Sequence, residues 1–276
     1  VNPVRTAACL FAVAGLATLS LAQGRVELEV SPAGAETWGS SLNALPGSSV
    51  DVRVKVSYTG TAQPMGLASM YMQPTISNWR TAGVADSVSP FVSTGSNIST
   101  PVGNVPDAVG QFGRIAPYAN RATNGQQALA SFVQTISSTT YLRVAQSYAT
   151  DWIGTGFNFS GDRGVPISQV NNTGRTAGEP AFSNALQNVV VFKYRINIST
   201  DVVGRVMQVT IPADGFGNQN TTTGAREIRW FANMTEATGS LVGGAVVIPA
   251  NIIVPAPAGL AMIGMGAMLA VKRRRK

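Results

Sequence analysis

Residues 49–58 read SVDVRVKVSY, and this stretch decides the fold class. Val50, Val52, Val54, Val56 and Tyr58 fall on one side, and Asp51, Arg53, Lys55 and Ser57 fall on the other. A period of two sustained over the whole stretch is the pattern of a strand with one face in a core and the other in water. A helix would need its apolar positions three and four apart. Leu45-Pro46-Gly47-Ser48 before it and Tyr58-Thr59-Gly60-Thr61 after it carry turn chemistry.

Outward from that strand the same reading recurs. Arg25 to Val30 alternates, with Val26, Leu28 and Val30 opposite Arg25, Glu27 and Glu29. Further strands are predicted at Leu67 to Gln73, Ile76 to Trp79, Thr139 to Ala149, Val206 to Ile211 and Arg226 to Ala232. Asn188 to Ser199 is strong, with Val190, Phe192, Tyr194, Ile196 and Ile198 facing in and Lys193, Arg195 and Asn197 facing out. Within Arg226 to Ala232, Ile228 and Trp230 lie opposite Arg229 and Phe231. Leu241 to Val254 closes the series, broken at Pro249. Many short strands separated by Gly, Pro, Asn and Ser predict an all-β protein, an antiparallel β-sandwich of Ig-like or jelly-roll-like kind. Thr81 to Ser138 is rich in Ser, Thr, Asn, Gly and Pro and reads as long loops over one end. Ala122 to Gln134 is the best, though weak, helical pattern in the chain. With no fixed-period repeat and no internal linker, one domain spans 23–250.

Composition narrows the chemistry. The 276 residues include one cysteine and no histidine. That excludes Ser-His-Asp and Cys-His nucleophilic machinery and the usual Cys/His zinc sites. No cofactor is expected. The net charge of +7 suggests a nucleic-acid binder until the charges are placed. Arg5 and the last five residues hold six of the 20 basic residues, and the stretch between balances its remaining cations against 13 acidic residues to within one charge. Without a basic block, nucleic acid is not an expected partner.

The two ends are different from the body. Residues 1–22 read as a secretory signal peptide. Arg5 supplies the positive start, Ala7 to Leu21 the apolar run, and Ser20-Leu21-Ala22 a small-x-small cleavage site between Ala22 and Gln23. Cleavage there removes Cys9, so the exported body needs no disulfide and is long enough to bury a core without one. At the other end, residues 251–276 form a sorting or anchor segment, with a transmembrane helix expected over about 254–271. The cations Lys272, Arg273, Arg274, Arg275 and Lys276 follow it directly. Such an order leaves the cations on the cytoplasmic side and the rest of the chain outside. An unprocessed membrane anchor is the plain reading of this tail.

Val254, Pro255, Ala256 and Pro257, then the apolar run from Gly259 to Val271, then the basic pentad, together resemble the PEP-CTERM sorting domain of bacterial exosortase substrates. The resemblance covers about a tenth of the chain and departs from the family at Ala256, where glutamate is usual. It implies secretion machinery and an exosortase-like membrane protease as partners, and cell-surface or extracellular delivery beside extracellular polysaccharide. It implies nothing about activity in the body.

Candidate sites in the body are few. Asp151 and Asp162 bracket DWIGTGFNFSGD, of calcium-loop length but without EF-hand spacing; a Gly-rich turn explains it equally. Trp38, Trp79, Trp152 and Trp230 are the aromatic side chains able to stack on a sugar; Trp79 and Trp230 lie in predicted strands and are expected in the core, which leaves Trp152 as the ligand-stacking candidate. The Asn-x-Ser/Thr triplets at Asn97, Asn158, Asn171, Asn197, Asn220 and Asn233 follow from composition. No carboxylate pair stands in a catalytic motif, and no residue is expected to be catalytic. Three classes of function remain: a structural or interaction protein of the cell surface or extracellular matrix, which the export signals favour; a carbohydrate-binding module for extracellular polysaccharide; and a hydrolase working with carboxylates alone.

Overall fold

In a computed structural model, SVDVRVKVSY forms a strand that runs through the centre of the larger of two sheets. The structure describes residues 24–89, 104–105, 107–115, 118, 127–148, 165–168, 186–201, 204–212, 216–217, 227–233 and 239–256. Residues 1–23 (Ala22 and Gln23 among them), Trp152, the Asp151–Asp162 stretch, and every residue from Pro257 through the basic pentad lie outside these residues; of the expected sorting segment only 251–256 are described.

In chain order the strands are β1 (Gly24–Pro32), β2 (Ser41–Asn43), β3 (Ser49–Tyr58), β4 (Gly66–Met72), β5 (Thr75–Ser77), β6 (Ser87–Val88), β7 (Asn104–Val105), β8 (Gly113–Ile115) and β9 (Gln127–Ile136). They continue with β10 (Thr139–Tyr148), β11 (Val165–Ser168), β12 (Val189–Asn197), β13 (Arg205–Thr210), β14 (Phe216–Gly217), β15 (Glu227–Phe231), β16 (Leu241–Ile248) and β17 (Ala250–Val254). The larger sheet runs β11-β4-β15-β16-β1-β3-β12-β8-β7, with β14 on β4 and β6 on β12; the smaller runs β2-β17-β13-β5-β10-β9. Among the described residues there is no helix.

The inward residues of both sheets meet in one core. Val50, Val52, Val54 and Val56 of β3 are fully buried and share a cluster with Met207 and Val209 of β13, Ile76 of β5 and Ile252 of β17. Each such side chain contributes roughly 1.5–3 kcal/mol by leaving water. The fold is therefore a two-layer β-sandwich. It is not purely antiparallel, as expected from the sequence, because β1 pairs with β16, β2 with β17 and β7 with β8 in parallel. Pro249 explains part of this arrangement. It has no amide hydrogen to give to a ladder, and the chain crosses there from β16 in the larger sheet to β17 in the smaller.

Two β-bulges correct the sequence reading of strand faces. Between Val190 and Phe192 the register of β12 against β3 slips by one residue. Val189 and Val191 are buried, whereas Val190, expected to face in, lies opposite Lys55 and is half-exposed. Where β15 pairs with β4 the register shifts between Arg229 and Trp230, the extra residue being Ala68 of β4, and Phe231, expected to face out, is buried like Trp230. A bulge adds one residue to one strand and breaks strict alternation.

The stretch read as loops also holds strands. β6, β7, β8 and β9 all lie within it. The weak helical pattern of Ala122 to Gln134 is not realised from Gln127 onward, where β9 pairs antiparallel with β10 along its whole length. Ser137 and Ser138 join them with φ of 45° and 68°. Positive φ at both central residues is the turn that matches strand twist in a two-residue hairpin. Serine there lacks the Asn-Gly signature that announces such a turn in sequence.

The sandwich also extends past residue 250. Ile252 is fully buried, Val254 is 2% exposed, and Arg205 to Val209 pair with Val254 to Ala250. Residues 251–254, where the expected closing strand overlapped the expected sorting segment, are the last core strand, and Pro255 follows it directly.

Candidate functional site

The outward face of β1, β3 and β12 is a ladder of charges set by register. Glu27 stands opposite Lys55 and Glu29 opposite Arg53 across β1 and β3; Asp51 stands opposite Arg195 across β3 and β12. Arg53 Nε lies 2.6 Å from Glu29 Oε2, and Lys55 Nζ lies 2.7 Å from Glu29 Oε1. Arg25 pairs with Glu27. Arg195 donates to both oxygens of Asp51, at 2.6 and 2.9 Å, and its guanidinium lies 4.7 Å from the centre of the Phe112 ring. The bidentate bond to Asp51 raises the arginine's pKa further.

Arg53 faces Lys193 in the register, a like-charged pair that by itself destabilises a sheet. The turn after β1 resolves it. Trp38 lies over both cations, 4.5 Å from Arg53 and 5.9 Å from Lys193 to the ring centre. Its indole N–H donates to Glu36 at 2.8 Å. The buried ammonium of Lys193 is held by Ala108 O at 2.9 Å, Asp107 at 3.2 Å and Glu36 at 3.5 Å. Asp51 fixes the turn by accepting from the Gly34 amide at 2.8 Å. Glu36 has φ of 52° and Gly34 of 72°, so the turn doubles back over the sheet.

Burial alone would raise the Glu29 carboxyl, but hydrogen bonds from Lys55 and Arg53, with their charges, outweigh it and the net shift is downward. A general acid for glycoside cleavage needs the opposite shift. Glu29 is a counter-ion. A depressed folded pKa contributes stability above the ordinary glutamate value of about 4.3, and that contribution is lost as pH falls through the folded value. Glu29→Gln is therefore expected to lower the unfolding midpoint at neutral pH and to flatten its fall in acid. Parallel acid limbs for the two proteins would remove Glu29 from that role.

A second ion cluster ties the loop after β5 to the strand ends. Asp86, with its carboxylate fully buried, accepts from Arg205 at 2.5 Å, the Ser199 amide at 2.8 Å and the Arg80 amide at 2.8 Å. Arg80 in turn pairs with Asp201 at 2.5 Å.

The tryptophans divide as follows. Trp79 and Trp230 are buried in the core, as expected; Trp230 lies in β15, whereas Trp79 falls just past the end of β5 and not in the strand expected for it. Trp38 is half-buried in the charge ladder. Trp152 and the Asp151–Asp162 loop lie outside the described residues, as do Asn97, Asn158, Asn171 and Asn220. Asn197 sits in β12, where its carbonyl accepts from Ser49 at 2.7 Å. Among the described residues no group of three or more His, Cys, Asp and Glu side chains is placed to hold a metal ion.

Sequence reasoning missed the outward face of the smaller sheet. Its strands contain only two arginines and no acidic residue. Arg143 is 1% exposed and donates to Gln73; Arg205 is tied to Asp86. What remains outward is uncharged. The signal was available as an absence of Asp, Glu and Lys from six strands, but only the pairing shows that they form one face.

No family model and no curated protein matches the chain. Among solved structures it is similar to the seventh ScaB type I cohesin of Pseudobacteroides cellulosolvens, at 11% identity over 84% of this chain and 92% of that one, with a TM-score of 0.35. It is also similar to a chain of a type I cohesin–dockerin complex from Clostridium thermocellum, at 9% identity over 83% and 99%, TM-score 0.31. The cohesin CaCohA2 of Clostridium acetobutylicum overlaps at 9% identity over 86% and 94%, TM-score 0.28. The description of this chain as a β-sandwich rests on its own strand pairings and single core.

Proposed function

We propose that this chain is an exported protein of the bacterial surface or extracellular matrix, whose β-sandwich has a structural or interaction role and whose C-terminal segment sorts or anchors it. The observation that carries this reading is the abrupt change of character at Pro255. The last core strand ends at Val254, and the sequence passes without a polar linker into an apolar run and five cations. A folded domain followed at once by such a run suits display close to a membrane. Secretion machinery acting between Ala22 and Gln23 and an exosortase-like protease acting near Pro255-Ala256-Pro257 are the partners this reading requires. On this reading the two ion clusters brace the sandwich, and the body performs no catalysis.

Intact mass and fractionation from the native host test it. Loss of the first 22 residues together with everything after about Val254 is the result expected of a processed surface protein; a chain keeping its basic tail in the membrane fraction is a permanent anchor. A cytosolic chain with both ends intact would overturn the reading. Replacing Arg273, Arg274 and Arg275 with neutral residues removes roughly 1 kcal/mol of attraction to an anionic membrane surface per charge. Membrane retention or orientation should weaken accordingly, and unchanged fractionation of that variant would count against an anchor.

A further inference from the structure

We infer that the outward face of the smaller sheet binds a neutral, hydroxyl-bearing polymer, a polysaccharide without charged groups. This rests on the reading of the body as an exported interaction module and names the partner of one of its faces. The register aligns one row across all six strands. Ser41 pairs with Asn251, Asn251 with Gln208, Ser77 with Tyr141 and Tyr141 with Gln134. The backbone N–H of Gln208 donates to Ser77 Oγ at 3.0 Å and closes the row in the middle. Ser41 and Gln208 are exposed and the other four are half-buried, with Gln134 Oε1 shielded from solvent so that this residue offers only its amide nitrogen. At a strand spacing of about 4.8 Å the row is about 24 Å long.

The chemistry of this row points to its ligand. Amides and hydroxyls both donate and accept hydrogen bonds, as sugar hydroxyls do. The ring of Tyr141 adds an apolar surface that fits the C–H face of a sugar. Among the described residues of this sheet a charged polymer would find no counter-ion, because the strands' two arginines are withdrawn from the surface. A second copy of the chain is the poorer fit. Stable protein interfaces are apolar at their centre, whereas the centre of this row is polar; among the described residues the apolar side chains beside it are Val206, 50% exposed, and the half-buried Ile253 and Ile136, while Val133, 46% exposed, lies on the opposite face of β9 from Gln134. The opposite sheet offers the contrast: the outward charges of its β1, β3 and β12 are already paired with one another and have little to offer a neutral chain.

The test is affinity electrophoresis of the full-length, detergent-solubilised protein through gels containing neutral glucans, mannans or galactans, with alginate as the charged control. Retardation is expected with at least one neutral polymer, equal at low and high salt because no ion pair is involved. Gln208→Lys and Tyr141→Ala should each weaken it about tenfold, while Arg25→Gln on the other sheet leaves it unchanged; thermal unfolding checks that all three variants fold. A misfolded Gln208→Lys is replaced by Gln208→Ala, for which about fivefold is expected, one hydrogen bond's worth. Retardation by none of the neutral polymers, salt-sensitive preference for alginate, or indifference to the changes at Gln208 and Tyr141 would each overturn the inference. So would a concentration-dependent dimer in sedimentation that Gln208→Lys abolishes, which would give the face to a second copy. Retardation in vitro does not depend on where the protein resides, so this inference and the export reading fail in separate experiments.

Discussion

Asp86→Ala is expected to lower the stability of the sandwich by about 3–5 kcal/mol, the cost of breaking a buried ion pair from one side. The carboxylate is completely buried, and Arg205, its partner, keeps only 10% of its side chain exposed. Alanine at this position also strands the backbone amides of Arg80 and Ser199, which the carboxylate satisfies at 2.8 Å each. Domains of this kind are stable by only about 5–15 kcal/mol, so the variant stands near the limit of folding. Asp86→Asn retains an oxygen for an amide but gives up the charge facing Arg205, and it should fall between the two. Urea unfolding of the three proteins measures this directly. A loss below about 1 kcal/mol for the alanine variant would mean that Arg205 and the two amides find other partners, and the cluster would no longer explain how the loop after β5 is held.

Trp230→Ala is expected to cost a similar amount, about 3–5 kcal/mol, for a different reason: it opens a cavity in the core. Trp230 is completely buried and meets Tyr58 edge-on, with ring centres 5.1 Å apart. It joins β15 to the far end of β3, so the cavity falls where two parts of the larger sheet pack. Among the described residues the indole nitrogen has no hydrogen-bond partner. Trp230→Phe should therefore lose packing volume but no polar interaction, and its cost should be well under that of alanine. Calorimetric unfolding of both variants checks the pair; equal losses would show that the indole N–H matters after all.

Sequence and structure agree best where alternation is strict. SVDVRVKVSY is predicted and observed over the same residues, because Val at every second position leaves one face with nowhere to go but a core. The pattern at Arg25 to Val30 works in the same way, and the two strands pair throughout β1. Reading failed where a local event shifts the period. Val191 is the extra residue of a bulge, and one extra residue turns Val190 outward. Reading failed again at β9, whose strand character comes from pairing with β10 and whose turn is made by two serines that carry no special turn signature.

The candidate faces were legible only in part. Alternating charges in three separate segments were plain, but which carboxylate meets which cation depends on strand order: β3 lies between β1 and β12, which is how Asp51 reaches Arg195 across 144 positions of sequence. That Trp38 would cover Arg53 and Lys193 had no sequence signal, since it depends on a turn folding back over strands distant in the chain.

By itself the sequence determined the all-β class, most of the strands, the core identity of Trp79 and Trp230, and the contrast between a nearly neutral body and a basic tail, because alternation, burial preference and charge are local properties. Only the tertiary structure decided which strands are neighbours, where the chain changes sheets at Pro249, and that one outward face carries paired charges while the other carries almost none. Those depend on contacts between residues far apart in the chain, and pairing and register are settled by the whole core closing at once.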